Sequence, residues 1–323
     1  MEIVERRGDG HLAEIYVARL RDDPLSVVEF VDAVDPRFPR EEKWVITVST
    51  QIGCPIRCRI CDAGGFYRGN LTADEILAQI GRVVQGRQGD RRAIRTPKLK
   101  IHFARMGEPA LNPAVLQALE RLPGTYDAPG LIPCIPTVAP AVAAGWFDDL
   151  LAIKRRWYAR GRFQLQFSIN STDPRERDVL MPVEKWGLRE IAAYGRRFHD
   201  DGDRKVVLNF ALAEGVEADP DVIARCFDPD RFLVKLTPVN PTETAVRSGY
   251  GSVLSASAPD AAAGLVEALE GRGFDCIVSI GDDREITLGS NCGQAASVVL
   301  KREAIRRAAR AEAGGSRACL DRH

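Results

Sequence analysis

An α/β fold, an incomplete parallel barrel of the (β/α)6 TIM-like kind, is the architecture this sequence predicts. From Trp44 onward, short apolar strand-like runs alternate with helical patterns, as in parallel strands joined by right-handed crossovers. The repeats amount to about six β/α units, short of the eight that close a full barrel. The unusual polar motifs also fall just past strand ends, where the βα loops of such a barrel converge.

Residues 1–43 precede this pattern and read as a short N-terminal β extension. They hold two alternating runs, His11 to Leu20 and Ser26 to Asp35, separated by the turn signal Arg21-Asp22-Asp23-Pro24. Residues 44–282 form the barrel. Its strand candidates are Trp44–Thr50, Lys98–Ala104, Leu131–Val138, Phe163–Asn170, Lys205–Ala211, Arg231–Leu236 and Asp275–Ile280. Helical patterns lie between them at Thr72–Arg87, Pro113–Leu122, Gly145–Arg156, Leu188–His199, Asp219–Cys226 and Ala258–Arg272. The first helix has its start written out: Thr72 as N-cap with Glu75 three residues on makes a capping box. Residues 283–323 comprise a loop around Cys292, a helix with a basic face over Ala295 to Ala313 that would close the barrel's open side or else meet phosphate groups, and a tail.

The chain has 323 residues, with 45 basic and 45 acidic side chains, so no global field marks a dedicated nucleic-acid binder. The basic clusters at Arg87 to Lys100, Lys154 to Arg162 and Lys301 to Arg310 read as solvated helix faces or loops. Eight cysteines are too sparse for a secreted disulfide scaffold and point to a reducing cytoplasm. The N-terminus has no apolar signal-peptide core and no run has the length of a membrane span, so the expectation is a soluble, cytoplasmic monomer.

Three of the cysteines stand together. Cys54, Cys58 and Cys61 are spaced C-x3-C-x2-C directly after the first barrel strand. Three close thiolates without a fourth make a poor structural zinc site, which wants four protein ligands. They suit a [4Fe–4S] cluster with three irons held by cysteine and one left open. This spacing resembles the signature of the radical SAM superfamily, in which S-adenosylmethionine (SAM) occupies the open iron and is cleaved to methionine and a 5′-deoxyadenosyl radical. The fold that this resemblance implies is the partial barrel of the radical SAM type. Ile60 stands where superfamily members place a hydrophobe against the SAM adenine. Gly107-Glu108-Pro109, after the second strand, resembles the superfamily's glycine-rich motif: the glycine permits close backbone approach, and the acid offers an acceptor to the SAM amino group. Ser168 and Asn170 end the fourth strand, and Asn240 follows the sixth; their hydroxyl and amide groups could hold the SAM carboxylate or ribose.

Further stretches resemble one family, the RlmN/Cfr-type methyl synthases that methylate adenine carbons in RNA. They are Val48–Cys54, Asn70–Ile76, Met106–Asn112, Phe167–Asn170, Arg175 to Pro182, Pro238–Pro241 and Cys292-Gly293-Gln294, in order along roughly three-quarters of the chain. The resemblance implies that Cys292 is methylated by a first SAM, by displacement at a thiolate. A radical from a second SAM then removes hydrogen from the S-methyl group, and the carbon radical adds to the substrate. In the family a second cysteine, seven residues before the first cluster cysteine, resolves the adduct as a disulfide. This chain has Thr47 there, and a hydroxyl cannot form a disulfide. Of the remaining cysteines, Cys134, Cys226 and Cys276 read as small buried hydrophobes, with Cys134 able to face the barrel mouth, and Cys319 lies in the tail. Only 53 residues precede Cys54, too few for the family's RNA-binding domain in addition to the β extension.

The expected function is therefore a radical SAM C-methyltransferase with Cys292 as methyl carrier. Its substrate would be a nucleoside, nucleotide or other small molecule rather than ribosomal RNA, and a flavodoxin- or ferredoxin-type donor would supply the electron. Two alternatives stay open: a radical SAM oxidoreductase or rearrangement enzyme that abstracts substrate hydrogen directly, and a non-catalytic iron–sulfur or zinc protein. Substrate contacts would come from Met181 to Trp186 and from Thr242 to Ser257, whose Arg247 and Tyr250 suit an anionic or aromatic molecule.

Overall fold

A computed structural model describes residues 1–10, 12–35, 37–89, 92–281, 284 and 293–306. Its centre is a sheet of parallel strands: β4 (Lys43–Thr47), β7 (Lys98–His102), β8 (Leu131–Thr137), β9 (Gln164–Ser168), β10 (Val206–Leu212), β11 (Phe232–Pro238) and β12 (Asp275–Val278). Helices cross between them on one face: α1 (Ala73–Gln88), α2 (Ala114–Thr125), α3 (Ala144–Trp157), α5 (Leu188–Phe198), α6 (Pro220–Cys226) and α8 (Ala263–Glu270). The strand order is linear, as in a barrel left open on one side.

The alternation of each strand decides its orientation. In β7, Leu99 and Ile101 are buried in the main apolar core beneath the helices, so Lys98, Lys100 and His102 face the concave side. In β11, Phe232, Val234 and Leu236 take the core positions and Leu233, Lys235 and Thr237 the concave ones. The predicted capping box is formed: the Thr72 N–H donates to Glu75 Oε2 at 2.8 Å, and the Glu75 N–H donates to Thr72 Oγ1 at 3.2 Å. Asp173 and Asp219 cap the starts of α4 (Pro174–Leu180) and α6 in the same manner, each followed by proline at the first helical position.

The N-terminal segment differs from the expectation. It contributes three strands, β1 (Glu2–Asp9), β2 (Ala13–Arg19) and β3 (Val27–Val34), and β3 pairs antiparallel with β4. The extension is thus part of the same sheet, making ten strands among the described residues. A small antiparallel pair, β5 (Gln51–Gly53) with β6 (Tyr67–Asn70), brackets the cysteine loop. Helix α7 (Glu243–Arg247) lies in the loop after β11. Residues 294–306 form α9, whose buried Ala295 and Ala296 pack on the concave side of the N-terminal strands, against Ala13, Ile15, Val17, Val27 and Val31. The expected helix thus covers the antiparallel part of the sheet. Among the described residues, no helix is long and apolar enough to cross a membrane.

Candidate active site

The cysteine loop is held by its own hairpin and by the far side of the barrel. The Cys54 N–H donates to the Phe66 carbonyl at 3.2 Å, the Cys61 N–H to the Cys58 carbonyl at 3.2 Å, and the Arg59 N–H to the Leu180 carbonyl at 2.9 Å. Cys54, Cys58 and Ile60 line one apolar patch with Ile56, Val138, Leu180 and Met181. Burial pushes the Cys54 thiol up to about 12, partly opposed by backbone N–H groups of Ile56, Arg57 and Gly107. Burial raises the Cys58 thiol as well, and the charges of Cys54 and Glu108 add to it. Thiols so desolvated ionise only against a strong local cation, as metal ligation provides. Among the described residues no three His, Cys, Asp or Glu side chains are set to hold a single ion. Three cysteines on one loop, with backbone N–H groups aimed at a sulfur, form a donor set that fits an iron–sulfur cluster.

Gly107 and Glu108 adjoin this loop. Gly107 has φ +104°, and a Cβ there would come 2.5 Å from Thr50 Oγ1 and 2.8 Å from the Gln51 backbone nitrogen. No other residue fits this elbow without moving backbone. The Glu108 N–H donates to Gln51 Oε1 at 2.8 Å. The buried carboxylate of Glu108 accepts from the Ala110 N–H at 3.1 Å, the Thr137 hydroxyl at 2.5 Å and the Val138 N–H at 3.0 Å. Oε1 takes two of these donors and Oε2 one, so a single lone-pair position on Oε2 is left for a ligand cation. Burial raises this carboxyl to about 7 despite those bonds.

The other expected cofactor contacts are spread around the same rim. Asn170 has φ +62°; its Oδ1 accepts from the Ala211 N–H at 3.1 Å, and its Nδ2 lies 3.4 Å from the Met181 sulfur. It therefore stitches β9 to β10 beneath the apolar patch. Ser168 ends β9 on the concave face, in register with Asn209. Ile60 also packs with Val239, Ala245 and Tyr250, while Asn240 is exposed and its carbonyl accepts from the Thr242 N–H at 2.7 Å. Arg57, Arg59 and Arg247 line a cleft of about 310 Å³ with Cys58, Cys61 and Pro182. Thr47 lies on the concave face of β4 in register with His102, which is in turn in register with Cys134 on β8. Cys134 is thus the cysteine that shares this level with Thr47 among the described residues.

Cys292 and Cys319 lie outside the described residues. Gly293, next in the chain after Cys292, has φ +81°, and a Cβ on it would come 2.3 Å from the Ala63 nitrogen, just past Cys61. The Gly293 and Ala296 N–H groups donate to Glu29 Oε1 and Oε2 at 2.5 and 2.9 Å. Glu29 is fully buried in β3 and also pairs with Arg105 at 2.7 Å. A carboxylate at a helix start is favoured by the helix dipole. Sequence reasoning missed Glu29, although an acid inside Val27-Val28-Glu29-Phe30-Val31 is the kind of interruption that signals a buried polar contact. Asp62 was missed too; its carboxylate accepts from the Thr244 N–H at 2.9 Å and the Glu243 N–H at 3.3 Å, docking α7 onto the cysteine loop.

No protein-family model matches the chain. It is 29% identical over 276 residues to a protein of Frankia alni described as "Probable dual-specificity RNA methyltransferase RlmN", covering 83% of this chain and 62% of that protein. The chain therefore spans about three-fifths of that relative's length. A protein of Parafrankia sp. with the same description is 30% identical over 281 residues, covering 83% of this chain and 68% of its own length. In fold, the chain is similar to the crystal structure of a radical SAM methyltransferase from Sphaerobacter thermophilus, with a TM-score of 0.68 at 22% identity over 90% of this chain and 80% of that one. The shared fold and 30% identity across two thirds of a named relative agree: the chain belongs to the family of RlmN-type methyltransferases.

Proposed function

We propose that the protein is a radical SAM C-methyltransferase in which Cys54, Cys58 and Cys61 hold a [4Fe–4S] cluster and Cys292 carries the methyl group. The observation that supports this most is the meeting of three segments: the cysteine loop, the Gly107–Glu108 elbow and Gly293 packed on Ala63. When bound, the cluster supplies one electron to SAM and splits it to methionine and a 5′-deoxyadenosyl radical. Gly107 lets the backbone come close, and the remaining Oε2 lone pair of Glu108 accepts from the SAM amino group. Ile60 and the patch around Met181 exclude water from the adenine side. Ser168 and Asn240 offer polar contacts along the same rim, and Asn170 fixes its shape. The Cys292 thiolate would take the methyl group of one SAM by displacement, forming the S–methyl bond as the sulfonium–methyl bond breaks and S-adenosylhomocysteine leaves. An external flavodoxin- or ferredoxin-type donor provides the electron.

The substrate in this reading is a small molecule, nucleoside or nucleotide rather than ribosomal RNA. A second reading, direct abstraction of substrate hydrogen without methyl transfer, is favoured by Thr47: a hydroxyl stands where the family's resolving thiol would be. Anaerobic reconstitution with iron and sulfide, followed by reaction with SAM and a reductant, tests both. The expected result is 5′-deoxyadenosine together with a methyl group on Cys292 by mass spectrometry. Deoxyadenosine with unmodified Cys292 selects the second reading, and no cluster or no SAM cleavage defeats both.

A further inference from the structure

The concave face of the parallel strands carries a group of basic side chains that the proposed chemistry does not use. Lys100 on β7 and Lys235 on β11 both point into this lumen, because their neighbours Leu99, Ile101, Val234 and Leu236 fill the opposite, helix-covered core. Neither lysine makes an ion pair or hydrogen bond to another described residue. Lys43, Arg204 and Lys98 act against the charge of Lys100, and Lys100, Lys43 and Arg37 against that of Lys235, while the Cys134 thiol acts on both in the opposite sense. Nearby carboxylates are engaged elsewhere, Asp35 with Lys43 and Arg37, and Asp275 with Lys205. His102 faces the same space, and its Nε2 is buried without a hydrogen-bond partner among the described residues; so is Oδ1 of Asn209, which is in register with Lys235. Both lysines and His102 are held below their ordinary values by burial first; the charge of Lys43 adds to this for all three, and that of Lys100 for Lys235 and His102.

A half-buried ammonium without a counter-ion is costly, and two facing one lumen cost more. A single carboxylate would neutralise one and leave the other exposed to that cost. We propose that the lumen binds the phosphate group of a small molecule, with Lys100 and Lys235 as its two counter-ions and the neutral His102 ring as a further hydrogen-bond donor. Lys235 stands three residues before Pro238, so the phosphate would sit about 10 Å below the rim where the cysteine loop lies. That separation suits a molecule whose reacting end is at the rim and whose charged end is anchored beneath it. Naming the molecule as substrate rests on the proposed function; the phosphate site itself does not.

Isothermal titration of the full chain, reconstituted with its cluster, tests the site with three probes: inorganic phosphate, 5′-AMP as a phosphomonoester, and adenosine as the uncharged control. Phosphate and AMP are expected to bind and adenosine to bind far more weakly. Lys100→Met and Lys235→Met should each weaken AMP binding about tenfold or more, the loss of one charge-assisted contact. Lys100→Arg and Lys235→Arg, which keep the charge, should retain it. The methionine variants should also melt at a higher temperature than the wild type without ligand, because each removes a half-buried charge that has no counter-ion. AMP tighter than phosphate assigns the site to a phosphorylated substrate, and equal affinities assign it to free phosphate. Adenosine binding as tightly as AMP, no binding of either anion, or folded methionine variants of unchanged affinity overturns the proposal. Wild-type protein that binds phosphate but never cleaves SAM defeats the proposed function alone.

Discussion

The two halves of the concave face are built to opposite ends. Under the antiparallel strands β1–β3 that face is aliphatic, and α9 is laid over it with Ala295 and Ala296 fully buried. Under the parallel strands it carries Thr47, Lys100, His102, Gln166, Ser168, Asn209 and Lys235. The convex faces of both halves join one continuous apolar core, so the sheet's stability comes from its outer side throughout. The difference teaches that one stretch of lining is given to packing α9, while the other is left polar.

The comparison is broken most completely at the rim. Cys58→Ala should abolish both the cluster and deoxyadenosine formation, read by iron and sulfide content and by chromatography of the reaction, while far-ultraviolet circular dichroism stays that of the folded chain. On the attached half, Glu29→Ala leaves Arg105 buried without its acid and frees two helix N–H groups. The expected cost is about 3–5 kcal/mol by urea denaturation, with faster proteolysis of α9. Glu29→Gln, which keeps acceptor capacity for one N–H, should cost less.

Glu108 sharpens the comparison by pH. Its carboxyl is raised from 4.5 to about 7 in the folded chain by burial, so folding takes up a proton between those values. The contribution is fully present below about pH 4.5 and is lost as pH rises through 7, a fall on the order of 3 kcal/mol in the cluster-free protein. Urea midpoints between pH 5 and 8 should show that slope, and Glu108→Gln should flatten it. Gly107→Ala is expected to have the smallest effect on stability, about 2 kcal/mol, from a strained φ and contact with Thr50 and Gln51. It should nonetheless weaken SAM binding, measured by equilibrium dialysis.

Much of this was legible in the sequence, and the reasons are local. Every parallel strand and the helices α1, α2, α3, α5, α6 and α8 announced themselves by period and caps, Thr72 and Glu75 most clearly. β1 did not, because Glu2–Asp9 offers only Ile3 and Val4 as adjacent aliphatics in an otherwise charged run. The short β5–β6 pair was hidden by the cysteine loop it encloses, since three or four residues carry no period. In the site, spacing singled out the cysteines and the family resemblance singled out Gly107 and Glu108. What Glu108 bonds to was not, because Thr137 and Val138 come from the end of another strand. Lys100 ended a basic cluster that read as solvated surface, and nothing marked Lys235; the alternation of β7 and β11 puts both on the concave face.

The clasp between Glu29 and the start of α9 joins groups 264 residues apart. At a ribosomal rate of roughly 5–20 residues per second, the aliphatic side of the first three strands would emerge and wait on the order of tens of seconds for its cover. During synthesis that surface is a target for chaperones and for neighbouring nascent chains. Truncating the last thirty or so residues, which removes that cover, should therefore impair yield in the cell.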